Sequence, residues 1–153
     1  MPNGTFSRLP PKVVDDSFPL VTAALICERV LIEKDEVVSA IRVFDRVLYQ
    51  VPPPPAQPVV AFIFFVALKL GDSKQDAFDV RVIVRSPSGR EVEPTKDIPM
   101  KVQFPTKDPD AGVNLHFQFM LSPSEEGLYW SELLINNSVR ARTPLRLIQM
   151  RTD

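Results

Sequence analysis

Few residues in this chain are equipped for chemistry. It has one histidine, His116, and one cysteine, Cys27, far apart in sequence. A reactive thiol needs a histidine or another cation beside it to lower its pKa. Cys27 instead closes the apolar run Ala23-Ala24-Leu25-Ile26-Cys27, a setting that predicts a small buried hydrophobe. His116 alternates with Asn114 and Gln118 along a strand-like segment, which predicts a solvated imidazole on a polar face. No serine or cysteine nucleophile motif accompanies it. Asp108 and Asp110 share one loop, and Asp15, Asp16, Asp35 and Glu36 are further carboxylates that a fold can bring to one end. Calcium takes roughly six to eight oxygens from such loops, but nothing in this spacing demands it. The five glycines are scattered singly, so there is no phosphate-cradling loop. Neither a metal nor a cofactor is expected, and no catalytic residue is assigned.

The one local charge bias lies near the C-terminus. Arg140, Arg142, Arg146 and Arg151 follow one another with no acid between Glu132 and Asp153. Strand alternation puts Arg140 and Arg142 on a shared face. A solvated sheet face balanced by acids of neighbouring strands is the simpler reading. Arg140, Arg142 and Arg146 are nevertheless the candidate interaction surface. The formal net charge of −1 argues against a general nucleic-acid or acidic-membrane binder, which needs a basic excess.

The elements that must position these residues are strands. Sixteen prolines against five glycines, with many valines and phenylalanines, interrupt helices and favour β-structure. Residues 1–18 carry Pro2, Pro10 and Pro11 and show no periodicity, which predicts an N-terminal arm without regular structure. The domain proper is expected over residues 19–153. Residues 20–33 and 37–51 form two arms of a long hairpin around Lys34-Asp35-Glu36. Val30, Val37, Ile41, Phe44 and Leu48 also fit a helical stripe, but the density of valine and isoleucine favours strands.

Val51-Pro52-Pro53-Pro54-Pro55-Ala56-Gln57-Pro58 predicts an extended polyproline crossover between sheets. Val59–Leu70 reads as a central strand. Residues 78–85 alternate, with Phe78, Val80, Val82 and Val84 on one side, and Ser86-Pro87-Ser88-Gly89 turns the chain back. Residues 98–104 suggest an edge strand because of Pro99. In residues 113–121, Val113, Leu115, Phe117, Phe119 and Leu121 face a core. Leu128–Ile135, a tight Asn136-Asn137 turn and Val139–Met150 close the chain. Trp130 is expected as a core anchor, and Tyr129 as a corner tyrosine bonding back to the backbone. Eight or nine strands with short turns predict an all-β, two-sheet antiparallel sandwich of immunoglobulin-like type.

Several segments then carry a resemblance. Ala24-Leu25-Ile26-Cys27-Glu28, the stretch Val37 to Arg46, the proline-rich link, the Ser86-to-Glu91 turn, and Gly127-Leu128-Tyr129 leading to Pro144-Leu145-Arg146-Leu147 resemble a family of small bacterial proteins carrying a domain of unknown function. The resemblance spans about residues 20–150. This chain departs from it at Glu28, where that family tends to aspartate, and at Ile41-Arg42-Val43, where it tends to Ile-Gly-Val. The resemblance implies a β-sandwich and transfers no activity.

The leading functional expectation is a non-enzymatic protein-interaction or structural binding module. Its partner would be another protein or a second copy, with neither nucleic acid nor membrane involved. A small-ligand or carbohydrate-binding sandwich is the alternative, and a hydrolase using loop carboxylates a lesser one. The first eighteen residues show no signal-peptide pattern. The longest apolar segment, Val59 to Leu68, is ten residues, short of the ~20 that a membrane helix needs. A cytoplasmic setting is therefore expected.

Overall fold

The computed structural model describes residues 17–92 and 99–151. The arm expected over residues 1–18 lies, up to residue 16, outside the described residues, and so do Asp15 and Asp16. Nine strands follow in order: β1 (Leu20–Ile32), β2 (Val38–Val43), β3 (Arg46–Tyr49), β4 (Val60–Lys69), β5 (Ala77–Arg85), β6 (Met100–Gln103), β7 (Gly112–Leu121), β8 (Gly127–Ile135) and β9 (Ser138–Gln149). They form a four-stranded sheet, β2-β1-β4-β7, and a five-stranded sheet, β3-β9-β8-β5-β6, arranged as a sandwich.

Alternation explains the core. Phe78, Val80, Val82 and Val84 of β5 are all buried and share the core with Phe62, Phe64, Val66 and Leu68 of β4. Phe119 and Leu121 of β7 join them, with Val113, Leu115 and Phe117 packed at the margin. Phe62 and Phe119 stack with centroids 5.4 Å apart. Phe78 meets Phe104 edge-on at 6.0 Å. Thr143 Oγ1 donates to Ala24 O at 3.0 Å and ties β9 to β1 across the two sheets.

The residues 20–51 region is extended and not helical, with β1 and β2 antiparallel around the Lys34–Glu36 turn. The second arm is not one strand, however. Phe44 N donates to Ile26 O, and Arg146 N donates to Asp45 O, so the chain leaves one sheet at Phe44 and enters the other at Asp45. β3 then runs parallel to β9, which corrects the expectation of a wholly antiparallel sandwich. The switch also resets the alternation. An unbroken strand would place Phe44, Arg46 and Leu48 on one face. Instead Phe44, Val47 and Tyr49 pack against the core, while Leu48 is 58% exposed.

The proline run does cross between sheets, from β3 to β4. It is not one extended segment, because Ala56 N donates to Pro53 O at 3.2 Å and closes a turn. β6 lies at a sheet edge, as Pro99 suggested. Asn136 and Asn137 have φ of 48° and 65°, the doubly left-handed pattern of a tight hairpin turn. The Asn136 side chain also accepts from Asp79 N at 3.0 Å, anchoring that turn to β5.

Two turns dock on each other beside Tyr129. The Tyr129 hydroxyl donates to Glu125 O at 2.8 Å, and the ring is 1% exposed. Ser88 Oγ donates to Glu125 Oε1 at 2.8 Å, and Arg90 reaches Ser124 Oγ at 3.1 Å. Gly127 permits the approach: with φ +137°, a Cβ there would stand 2.8 Å from Pro87 Cγ.

These contacts give two expectations. Tyr129→Phe removes one buried hydrogen bond and should lower stability by about 1 kcal/mol in urea unfolding, and Gly127→Ala by more. A Tyr129→Phe chain as stable as the parent would refute the corner's role. The Ser88 hydroxyl is the main influence holding the Glu125 carboxyl below its ordinary range, with smaller help from the Ser88 amide, Ser86 and Arg90. A folded pKa below the unfolded one contributes stability above the unfolded value and loses it as pH falls through the folded value. Glu125→Gln should therefore flatten the loss of stability below pH 4.5, measured as urea midpoints across that range.

Candidate interaction surface

The three arginines singled out by sequence go to different places. Arg142 lies on the outer face of the five-stranded sheet, its guanidinium 4.5 Å from the Trp130 ring centroid. Its Nε donates to Glu132 Oε1 at 3.1 Å, and Arg85 Nε takes Glu132 Oε2 at 2.8 Å. Glu132 is buried between the two cations. Trp130, expected in the core, is half-buried on this outer face beneath Arg142. Tyr129 takes the inward position, and alternation sends its neighbour outward.

Arg140 does not share that face. The register of β8 with β9 shifts at Leu133/Leu134, pairing Ala141 and then Val139 and skipping Arg140. The Arg140 guanidinium sits 4.3 Å from the ring centroid of Phe18, which packs against the core. A one-residue bulge thus overturns the shared face that simple alternation predicts. Arg146 is exposed and stands opposite Arg46 across β3–β9, and Arg46 pairs with Asp45 at 3.3 Å. Two of the three arginines are held by intramolecular partners, and the three do not make one patch.

The other candidates are equally placed by structure. His116 is exposed on β7, opposite Phe65. Cys27 is 0% exposed, and burial pushes its thiol pKa up, which suits a packing role. Asp108 organises its own loop, accepting from Asp110 N at 2.9 Å. Asp35 accepts from Val37 N at 3.4 Å in the β1–β2 turn. Among the described residues, no three histidine, cysteine or carboxylate side chains gather as a metal site. The surface depressions are open. One is bordered by Ser17, Phe18, Lys74, Gln75 and Asn136, another by Leu48, Val59 and Met150.

Sequence reading missed the feature most exposed to a partner. β1 is thirteen residues long, but β4 pairs with it only as far as Cys27. Beyond that point Glu28–Ile32 and Val38–Val43 continue as a two-stranded ribbon. Leu31, Ile32, Val37 and Val43 on it are 47%, 69%, 52% and 57% exposed. β2 is the outermost strand of its sheet. Glu33 N bonds to Val37 O, which sets the phase of the ladder. Residues 39 and 41 therefore bond inward to β1, while the N–H and C=O of Val38 and Ala40 point to the open edge. Arg42 has φ +53° and bonds Glu28 at 3.0 Å. The signal available in the sequence was Leu31-Ile32 beside the charged turn, an apolar pair that β2 flanks on one side and β4 does not reach on the other.

The fold and these surfaces define an all-β, two-sheet domain, and among its described residues no helix is long and apolar enough to cross a membrane. The chain belongs to a family of unknown function (DUF6941), whose family model matches residues 22–148. That span takes in all nine strands except the first two residues of β1 and the last of β9, and agrees with the range of the resemblance read from sequence. No curated protein matches the chain.

The ion-pair cluster yields its own expectation. Glu132→Ala removes the carboxylate shared by Arg85 and Arg142, leaving Arg85 with Glu91 and Arg142 over Trp130. It should cost about 2 kcal/mol of stability, whereas Arg146→Ala, with an exposed side chain, should stay within about 0.5 kcal/mol. Equal losses for the two variants in urea unfolding would show that Glu132 does not organise this face.

Proposed function

We propose that this chain is a non-enzymatic, cytoplasmic protein-interaction domain, and that the β1–β2 ribbon is its binding element. One observation carries the reading: an edge strand with outward-facing backbone groups at Val38 and Ala40, flanked by four exposed aliphatic side chains. An isolated two-stranded ribbon is marginal in water, and an open edge is a template for an added strand. A partner strand laid along β2 would satisfy the free backbone groups and cover part of the apolar surface.

The scaffold fits an immunoglobulin-like sandwich. The order β1-β4-β7 facing β9-β8-β5 matches strands A-B-E facing G-F-C of that architecture, and Tyr129 occupies the place of its corner tyrosine. The chain differs from antibody domains in having a lone buried cysteine and in carrying its tryptophan on β8. In this type of fold, function resides in surfaces and loops carried on a rigid sandwich.

Site-specific photo-crosslinking in living cells tests the reading. A photoreactive residue at Val38 should give discrete covalent adducts, while one at Ala61, exposed on the interior strand β4, should give none. Equal labelling at both positions, or none at either, would overturn the ribbon as the binding element.

A further inference from the structure

The ribbon also bears on what kind of strand it accepts, an inference that rests on the ribbon being the binding element. We infer that its partner is a second copy of this chain, paired β2 to β2 in antiparallel fashion about a two-fold axis at Ser39. The geometry of the edge and the distribution of charge lead to the same register.

Free backbone groups belong to alternate residues of β2, and Val38 and Ala40 are two of them. In an antiparallel pair, hydrogen-bonded positions face each other. Setting Val38 against Ala40 of the second copy satisfies both residues, and the symmetry satisfies the reciprocal pair. Ser39 then faces Ser39 of the second copy at a non-hydrogen-bonded position. The same register sets Val37 opposite Ile41 and covers apolar side chains on both copies.

Charge follows the same symmetry. The turn of the ribbon carries Glu33, Asp35 and Glu36 against Lys34 alone, while the exit of β2 carries Arg42, followed by Asp45 and Arg46, which pair with each other. An antiparallel two-fold places the acidic turn of one copy against the basic exit of the other. Continued past the start of β2, the Ser39-centred register brings the turn residue Glu36 toward Arg42 of the second copy, twice per dimer. Arg42 already bonds Glu28 through one nitrogen, and its guanidinium retains further donors for a second carboxylate. A parallel arrangement would instead set acidic turn against acidic turn. β2, like β7 at the other edge of its sheet, lacks the proline and lysine that blunt sheet edges, whereas β6 carries Lys101 and is preceded by Pro99. Pairing at β2 would join two four-stranded sheets into one continuous sheet of eight.

The test is the solution mass of the full chain by light scattering after size exclusion, across a wide concentration range. A dimer has about 34 kDa, twice the 17.2 kDa of the chain. Ala40→Pro removes an N–H directed out of the ribbon and leaves the inner ladder intact, so it should give a folded monomer by circular dichroism. Glu36→Arg and Arg42→Glu should each weaken the dimer by at least about tenfold through two like-charge contacts. The double exchange should restore dimerisation relative to Arg42→Glu alone, since both variants lose the Arg42–Glu28 contact equally and only the double variant regains opposite charges across the axis. Ser39→Cys should form a disulfide-linked dimer under mild oxidation, because Cα atoms at such a position approach to about 4.5 Å; the parent chain, with Cys27 buried, should not. A monomer at every concentration would overturn the second-copy inference, yet adducts at Val38 to a different protein would leave the interaction reading standing. A dimer indifferent to Ala40→Pro, to the charge exchange or to Ser39→Cys oxidation would overturn this register and with it the inference.

Discussion

The fold depends on a single transfer of the chain between sheets. At Phe44 the backbone still bonds β1, and one residue later, at Asp45, it bonds β9. That step ends β2, creates β3 and sets the only parallel pairing among the strand pairs described above. It also inverts which residues face inward, so that Val47 and Tyr49 enter the core beside the partly buried Phe44. The chain returns to its first sheet as β4 and β7, but on the far side of β1, so among the described residues no later strand runs alongside β2 and its backbone is left open. The switch that closes the core also ends β2 and so sets how far the ribbon runs.

The same end of the sandwich is also held by polar contacts of a different kind. Tyr129 carries an aromatic body into the core and returns its hydroxyl to the backbone of its own corner, while Glu125 collects the Ser86–Gly89 turn. Buried phenols need such a partner, since an unpaired hydroxyl in a dry core costs more than the ring's burial can spare. Gly127 has no side chain to keep the two turns apart. On the outer sheet face, Glu132 holds two arginines, and the guanidinium of one of them, Arg142, covers the Trp130 ring. This face is tied up within the chain, unlike the ribbon, whose one described cross-strand ion pair, Arg42–Glu28, is solvent-exposed.

Much of this was legible in the sequence by itself. Strict alternation in residues 78–84 and 113–121 identified inward and outward faces because a strand has a side-chain period of two. The Ser86–Gly89 and Asn136-Asn137 turns declared themselves through residues that tolerate left-handed backbone, and the corner role of Tyr129 followed from Gly127 and the strand start. Cys27 and His116 were assigned to interior and surface from their immediate neighbours alone. Tertiary structure decided what local pattern cannot encode. Periodicity does not register a skipped residue, so the Arg140 bulge and the reset at Asp45 were invisible, and with them the separation of Arg140 from Arg142 and the parallel β3–β9 pair. Trp130 was read inward on its bulk, while its parity beside Tyr129 sent it outward. Whether an aliphatic side chain such as Ile32 is covered depends on how far the neighbouring strand extends, and that length is a property of the assembled sheet.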